Sequence, residues 1–334
     1  MVKSFAFAGD QAVGQAVTRK LQEAGFALAA GLASADYIFT YCLAQSQLED
    51  VYLGTGGAIE SAKEGCCLVD LSPSTPTLAK EVYAIARVNE LQSLDAPLVF
   101  VDPCAHDAFG DPANLMLLVG GEDEAFADAE PLLRAIAGEV GFAGLPGSGQ
   151  LAKAMCTVQK AASVVSLVEA LALAKGEGSD TDWAMHAAVT AGVAAPGALE
   201  IYHAMVDGHF HGTYNCRVLM AELTAAMNAA EEAGLVLPQA EACQQLLELF
   251  LVVGGGDLGI SALTLAYSSD EESAPYGLDW SRAENLYEHD HGHDHDHGDS
   301  HARYHDDDYD DYGYDYGYDD EDGYAGGFGG FSSN

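Results

Sequence analysis

Three groups of residues in this chain have types and spacing that could do chemistry. Lys153 closes the frame Gly147-Ser148-Gly149-Gln150-Leu151-Ala152-Lys153, which opens a long helical run. An amine fixed near a helix start can hold and pass a proton, whereas a single helical lysine with no such frame is as often a solvated surface group. Gly9-Asp10-Gln11-Ala12-Val13-Gly14 follows a short apolar run and leads into a helical pattern. That order is strand, turn, helix, and the free amides of a helix N-terminus suit an anionic phosphate. Finally, His289, His291, His293, His295 and His297 alternate with Asp or Gly. Imidazole among carboxylates suits a divalent transition metal such as Zn²⁺, Ni²⁺ or Cu²⁺. It must be neutral to bind, so affinity should fall below about pH 6. With no scaffold around them these histidines form a loose multi-ligand segment, and the plain alternative is a solvated spacer.

Composition limits what these groups can serve. The chain has 334 residues, enough for two modest domains each with a core, and is 49% hydrophobic. No uninterrupted apolar run reaches the roughly 18 residues that span a bilayer, so no membrane partner is expected. Met1 to Gly9 reads as a first strand and not as a signal peptide. The formal charge of −39 argues against binding nucleic acid. From Glu288 onward there are 15 acidic residues and one basic, Arg303, which leaves 37 acidic and 12 basic residues in the remainder. The body is therefore acidic by itself, and its field repels an anionic dinucleotide unless basic groups are placed locally. Seven cysteines without framework spacing point to reduced thiols and a cytoplasmic protein. Cys66 and Cys67 are adjacent in an expected strand, so they face opposite sides of it as core residues.

Strand and helix patterns alternate up to about residue 145. Strands are expected at Phe5–Ala8, Tyr37–Cys42, Cys66–Leu71, Leu98–Asp102, Leu115–Val119 and Gly141–Leu145, with helices between them. This order predicts a mostly parallel, doubly wound sheet. From Gln150 the pattern is helical only, starting with Leu151–Lys175. Past Ser269 it loses its core-forming character. The low-complexity His/Asp and Tyr/Asp/Gly blocks read as disordered. The expected domains are residues 1–148, 149–268 and a tail at 269–334.

Taken in order over residues 1–265, these landmarks resemble the β-hydroxyacid dehydrogenases, the superfamily of 3-hydroxyisobutyrate and 6-phosphogluconate dehydrogenase-like proteins. The resemblance implies an α/β Rossmann-type domain and an all-α domain joined by a long helix, with a homodimer formed through the helical domain. It also implies an NAD(P) cofactor, a small-molecule substrate, and Lys153 as general acid/base on the substrate hydroxyl. The corresponding cofactor residues are Gly9, Gln11, Ala12, Val13, Gly14, Leu43 and Pro73. The corresponding substrate residues are His106, Asp107, Ala108, Thr157 and Glu222.

The departures from the family pattern are specific. Gln11 replaces the glycine that lets the pyrophosphate approach the backbone. Only Phe26–Ala35 separates Gly25 from the next clear strand, too little for a full parallel strand with its own helix. One βα unit, with its adenosine clamp, is therefore expected to be missing. Pro73 stands where the family has Thr. His106-Asp107 replace an amide-rich Ser-Gly cradle, and Cys156-Thr157 replace an Asn pair. Ala221 replaces a lysine, and Gly259 stands where the closing motif has Asp. Two readings follow. One is a divergent NAD(P)-dependent oxidoreductase acting on a small hydroxy- or oxo-acid. The other is a non-catalytic binding or scaffold protein on the same fold, with a metal-binding tail.

Overall fold

Sequence periodicity sets the order of elements in the computed structural model, which describes residues 2–178, 181–195 and 197–283. The first part runs β1 (Ser4–Gly9), α1 (Gln11–Glu23), β2 (Ala27–Leu28), β3 (Tyr37–Tyr41), α2 (Gln45–Leu53), α3 (Ala58–Ser61), β4 (Cys67–Asp70) and α4 (Pro76–Val88). It continues with β5 (Gln92–Asp95), β6 (Leu98–Phe100), β7 (Leu115–Gly120), α5 (Asp123–Ile136) and β8 (Glu139–Gly144). Val13, Val17 and Leu21 repeat every four residues on α1 and are buried against the sheet, each worth about 1.5–3 kcal/mol. Helix α4 starts where Thr75 accepts a hydrogen bond from the Leu78 amide, followed by Pro76 at its first position. Cys66 and Cys67 pack into two different core clusters, as their alternation requires.

The expected gap in the Rossmann half is present. β2 pairs with β1 in parallel through only two residues, Ala27 opposite Ser4 and Leu28 opposite Phe5. A single 3-10 turn at Leu32–Ser34 then returns the chain to β3 on the other side of β1. Because β2 is so short, eight residues suffice for a connection that normally needs a helix.

Strand β5 differs from the expectation. Residue pattern predicts a helix through Leu91 and a strand at Leu98–Asp102, whereas Gln92-Ser93-Leu94-Asp95, with its polar composition, forms a buried strand between them. β5 and β6 lie end to end along one side of β7. Asp95 opposite Gly120, Leu98 opposite Leu117 and Phe100 opposite Leu115 keep a single register across Ala96-Pro97. Both are antiparallel to β7, while β8 runs parallel to it on the other side.

The remainder is helical: α6 (Ser148–Gly176), α7 (Asp182–Thr190), α8 (Ala198–Val206), α9 (Cys216–Glu232), α10 (Pro238–Val252) and α11 (Asp270–Ser273), with a 3-10 stretch at Ile260–Tyr267. By length and composition α6 is apolar enough to cross a membrane, although charged residues break its apolar runs. One side of it packs against β7, α9, α10 and the Ile260–Tyr267 stretch, while Leu151, Met155 and Leu173 are exposed.

The folded chain also continues beyond 268, where the sequence reading begins the tail. Ser269 and Glu272 form a capping box on α11, Trp280 Nε1 donates to Ser273 Oγ at 3.1 Å, and Leu278 and Ala283 are buried. Residues 269–283 lack apolar periodicity because short turns, caps and a few anchors hold them. The five tail histidines lie outside the described residues, as does the Tyr/Asp/Gly block.

Candidate active site

The first constellation is the turn after β1. Gly9 has φ +119°, and a Cβ there would lie 2.2 Å from Tyr41 O, so only glycine fits between the two strands. Gly14 is equally constrained, since a Cβ would meet the Phe7 ring at 2.6 Å. The two retained glycines thus have packing reasons to be there. Gln11, in place of the middle glycine, is exposed. Asp10, passed over in the sequence, is the N-cap of α1, and its Oδ1 accepts from the Val13 amide at 2.9 Å. One of the amides that would bind a phosphate already holds the chain's own carboxylate.

β1 is the topological switch, with β2 on one side and β3 on the other, and a crevice at such a point is the usual ligand position in open α/β sheets. A crevice of about 700 Å³ opens there, lined by Asp10, Ala12, Val13, Tyr41 and Leu43 on one wall and Asn215 and Arg217 on the other. Gly9, Gln11 and Gly14 line a neighbouring groove of about 650 Å³ beside α1. Six of the seven expected cofactor residues therefore face two adjoining hollows. Pro73 is buried instead, in a loop held by Gln150, whose side chain donates to Ser72 O at 2.8 Å and accepts from the Ser74 amide at 3.0 Å.

The second constellation sits where the sheet meets α6. Asp95, at the end of the overlooked β5, accepts from the amides of Gly147 at 2.8 Å and Gln150 at 2.9 Å, so it caps the helix that carries Lys153. Gly149 passes so close that a Cβ would lie 2.4 Å from Leu118 O and 2.5 Å from Asp95 O. Burial pushes the Asp95 carboxyl up to about 6, against the pull of those amides. Asp70, opposite Asp95 on the paired strand β4, is also buried, accepting from the Ser72 amide at 2.9 Å and from Thr40 Oγ1 at 3.2 Å. Burial pushes it up to about 7.

Lys153 is 4% exposed, and its Nζ lies 2.5 Å from Glu222 Oε1. Glu222 Oε2 accepts from Tyr214 OH at 2.8 Å and from Thr157 Oγ1 at 3.4 Å. The ammonium also lies 5.9 Å from the centre of the Phe100 ring. Lys153, Thr157 and Glu222, named separately in the sequence, thus form one buried cluster, to which the structure adds Tyr214 and Phe100. Nothing in the sequence marks Tyr214. Phe100 ends β6, a strand expected from the sequence, although nothing there marked its ring as a neighbour of Lys153.

The expected substrate loop does not join them as an open cradle. His106 and Asp107 are exposed, and Asp107 Oδ1 accepts from the Gly110 amide at 2.9 Å. The Ala108 amide is taken by Thr213 Oγ1 at 2.8 Å. The loop satisfies its own polar groups because Asn114 and Asp102 tie it internally. Among the described residues no cluster of three or more His, Cys, Asp or Glu side chains could hold a metal ion.

Comparison with known proteins gives a consistent result. A family model described as the NAD binding domain of 6-phosphogluconate dehydrogenase matches residues 5–144. A second, described as NAD-binding of NADP-dependent 3-hydroxyisobutyrate dehydrogenase, matches residues 147–267. The chain is 30% identical over 233 residues to the probable mitochondrial 3-hydroxyisobutyrate dehydrogenase-like 1 of Arabidopsis thaliana, covering 69% of this chain and 68% of the relative. It is 28% identical over 236 residues to 2-hydroxy-3-oxopropionate reductase of Escherichia coli, covering 70% and 78%. In fold it is similar to the Mycobacterium tuberculosis 3-hydroxyisobutyrate dehydrogenase solved with L-serine, with a TM-score of 0.68 at 21% identity, covering 80% of this chain and 100% of that one.

Proposed function

Because the chain belongs to the β-hydroxyacid dehydrogenase superfamily, we propose that it is an NAD(P)-dependent oxidoreductase acting on a small hydroxy- or oxo-acid, with Lys153 as its general acid/base. The observation that carries this reading is the setting of Lys153. Asp95 and Gly149 fix the start of α6 so that the amine is buried against Glu222, Thr157 and Tyr214. The Gly9–Gly14 turn, the free amides of α1 and the crevice at Leu43 fit the nicotinamide and pyrophosphate half of the cofactor. The adenosine half would have only the two-residue β2 beside it, which would lower cofactor affinity. A bound nicotinamide would supply or accept the hydride. Lys153 Nζ would give its proton to the substrate oxygen in the reducing direction and take it back in the oxidising one, with Glu222 holding the amine in place. Residues 1–148 serve as the cofactor domain and 149–268 as the helical substrate domain. The exposed Leu151, Met155 and Leu173 of α6 support a homodimer through that second domain.

One observation favours the non-catalytic reading. Two of the chain's own carboxylates, Asp10 on the α1 amides and Glu222 on Lys153, stand where external anions would bind. Turnover decides between the two. Purified protein is to be assayed with 2- and 3-hydroxyacids and their oxo forms, using both nicotinamides. The oxidoreductase reading expects turnover that Lys153→Met lowers by roughly 10²–10⁴ while cofactor binding persists. Absence of turnover with every acid and both nicotinamides would leave the scaffold reading.

A further inference from the structure

Lys153, Thr157 and Lys160 follow one another at spacings of four and three on α6, so they share a helix face. Lys160 is the last of the three. Its Nζ is buried and, among the described residues, has no hydrogen-bond partner. It lies 4.5 Å from the centre of the Tyr214 ring and 5.7 Å from that of Phe100, the ring that Lys153 also approaches. Two ammonium groups therefore share one aromatic surface with a single carboxylate. Glu222 is occupied on both oxygens by Lys153, Tyr214 and Thr157. The other ionisable groups facing Lys160 are the thiols of Cys156 and Cys104, and burial pushes the Cys104 thiol up to about 12, leaving it neutral.

A buried ammonium with no hydrogen-bonded counter-charge is strongly unfavourable, and contact with two rings returns only about 1–2 kcal/mol. Burial accordingly pushes the Lys160 amine down to about 8, where it is still mostly charged at neutral pH. The cluster carries one positive charge more than it neutralises, and a monoanion would balance it.

We propose that Lys160 is the anion anchor of this cluster, binding the carboxylate of a small monocarboxylic substrate whose hydroxyl or carbonyl oxygen meets Lys153. The proposal rests on the reading of Lys153 as the proton-transfer group. Both amines lie within 6 Å of the Phe100 centre, which bounds their separation below 12 Å. With hydrogen bonds of about 3 Å at each end, that ceiling leaves less than about 6 Å between the two substrate oxygens, which limits the acid to about three or four carbons.

The test uses the full chain, with 3-hydroxypropionate as the probe and the neutral 1,3-propanediol as its uncharged counterpart. Binding is read by calorimetry and melting, and turnover by nicotinamide absorbance. Wild-type protein should bind the acid and not the diol. Lys160→Met should weaken the acid at least about ten-fold, the loss expected for a charged hydrogen bond, and Lys160→Arg should retain most of the affinity. In turnover, Lys160→Met should raise KM more than it lowers kcat, the reverse of Lys153→Met. Lys160→Met should also melt no lower than wild type, since it removes an unpaired buried charge. Equal affinity of wild type and Lys160→Met for the acid, or of the acid and the diol for wild type, would overturn the anchor. If turnover is present and KM is unchanged in Lys160→Met, the anchor fails while the oxidoreductase reading stands. If no acid turns over but Lys160→Met abolishes binding of the acid, the oxidoreductase reading fails and the anion site stands.

Discussion

Asp10 closes the first turn of α1 with its own carboxylate, and an incoming pyrophosphate has to share that helix end with it. Like charges about 4 Å apart in water repel by about 1 kcal/mol, so the carboxylate weakens a dinucleotide by roughly five-fold. Asp10→Ser keeps an N-cap oxygen and removes the charge. NADPH titration of that variant should show affinity higher by roughly that factor, and unchanged affinity would mean that the pyrophosphate binds elsewhere. The Lys153–Glu222 pair makes a different claim. Breaking a buried pair by removing one partner costs about 3–5 kcal/mol, whereas removing both charges together costs far less. In urea melts, Lys153→Met and Glu222→Gln should each be clearly destabilised, and the double variant should melt closer to wild type than either. Additive losses would contradict the pairing. At this scale Lys153 was legible from its Gly-x-Gly frame, and Thr157 and Glu222 only through the family resemblance. Tyr214, Asp95 and Lys160 were not, because their importance lies in contacts between residues far apart in sequence. Asp10 was legible and overlooked, since a capping Asp before a helix is a local signal.

The strand and helix order of the first half followed from periodicity, and the missing βα unit followed from simple length between Gly25 and Asp36. β5 was hidden because a strand ending in a buried, hydrogen-bonded Asp does not look like a core strand. Its recovery explains the Gly-x-Gly frame, since Gly149 must pass between Leu118 O and Asp95 O. Gly149→Ala should shift the start of α6, costing about 1–3 kcal/mol by overpacking and lowering turnover with it. Wild-type turnover and melting in that variant would show the frame to be incidental. The buried carboxyls give the elements a pH dependence. Burial raises Asp70 to about 7 and Asp95 to about 6, above the unfolded value of about 4. The folded state thus retains protons that the unfolded chain has lost. The stability linked to them is fully present below about pH 4 and is lost as pH rises through about 6 to 7. Asp70→Asn should flatten this slope, gaining on the order of 1–3 kcal/mol over wild type near pH 8. Parallel melting curves for the two proteins between pH 5 and 8 would contradict it.

For the whole molecule, the folded body extends past the point where hydrophobic patterning ends. The segment after Ser269 buries Ser273, Leu278 and Ala283, and the Asp279 amide donates to Val253 O at 2.9 Å. Truncation after residue 268 should therefore lower the melting temperature by several degrees relative to truncation after 290, as about 2–4 kcal/mol of apolar burial and hydrogen bonding is removed. Equal melting would make the segment dispensable. Periodicity could not reveal it, because isolated anchors leave no periodic trace, although Ser269-x-x-Glu272 is a local capping-box signal that was passed over. The larger division, an α/β part followed by helices, was legible because it changes the repeat of the whole pattern at residue 150.

The measurement that tests the central claim most directly is a side-by-side assay of the full chain and Lys153→Met with NADPH and NADH. Cofactor binding is followed by nicotinamide fluorescence, and turnover by absorbance with small oxo-acids. The oxidoreductase account predicts binding in both proteins and wild-type turnover that falls roughly 10²–10⁴-fold in Lys153→Met. Binding with no turnover in either, or no binding at all, would contradict it.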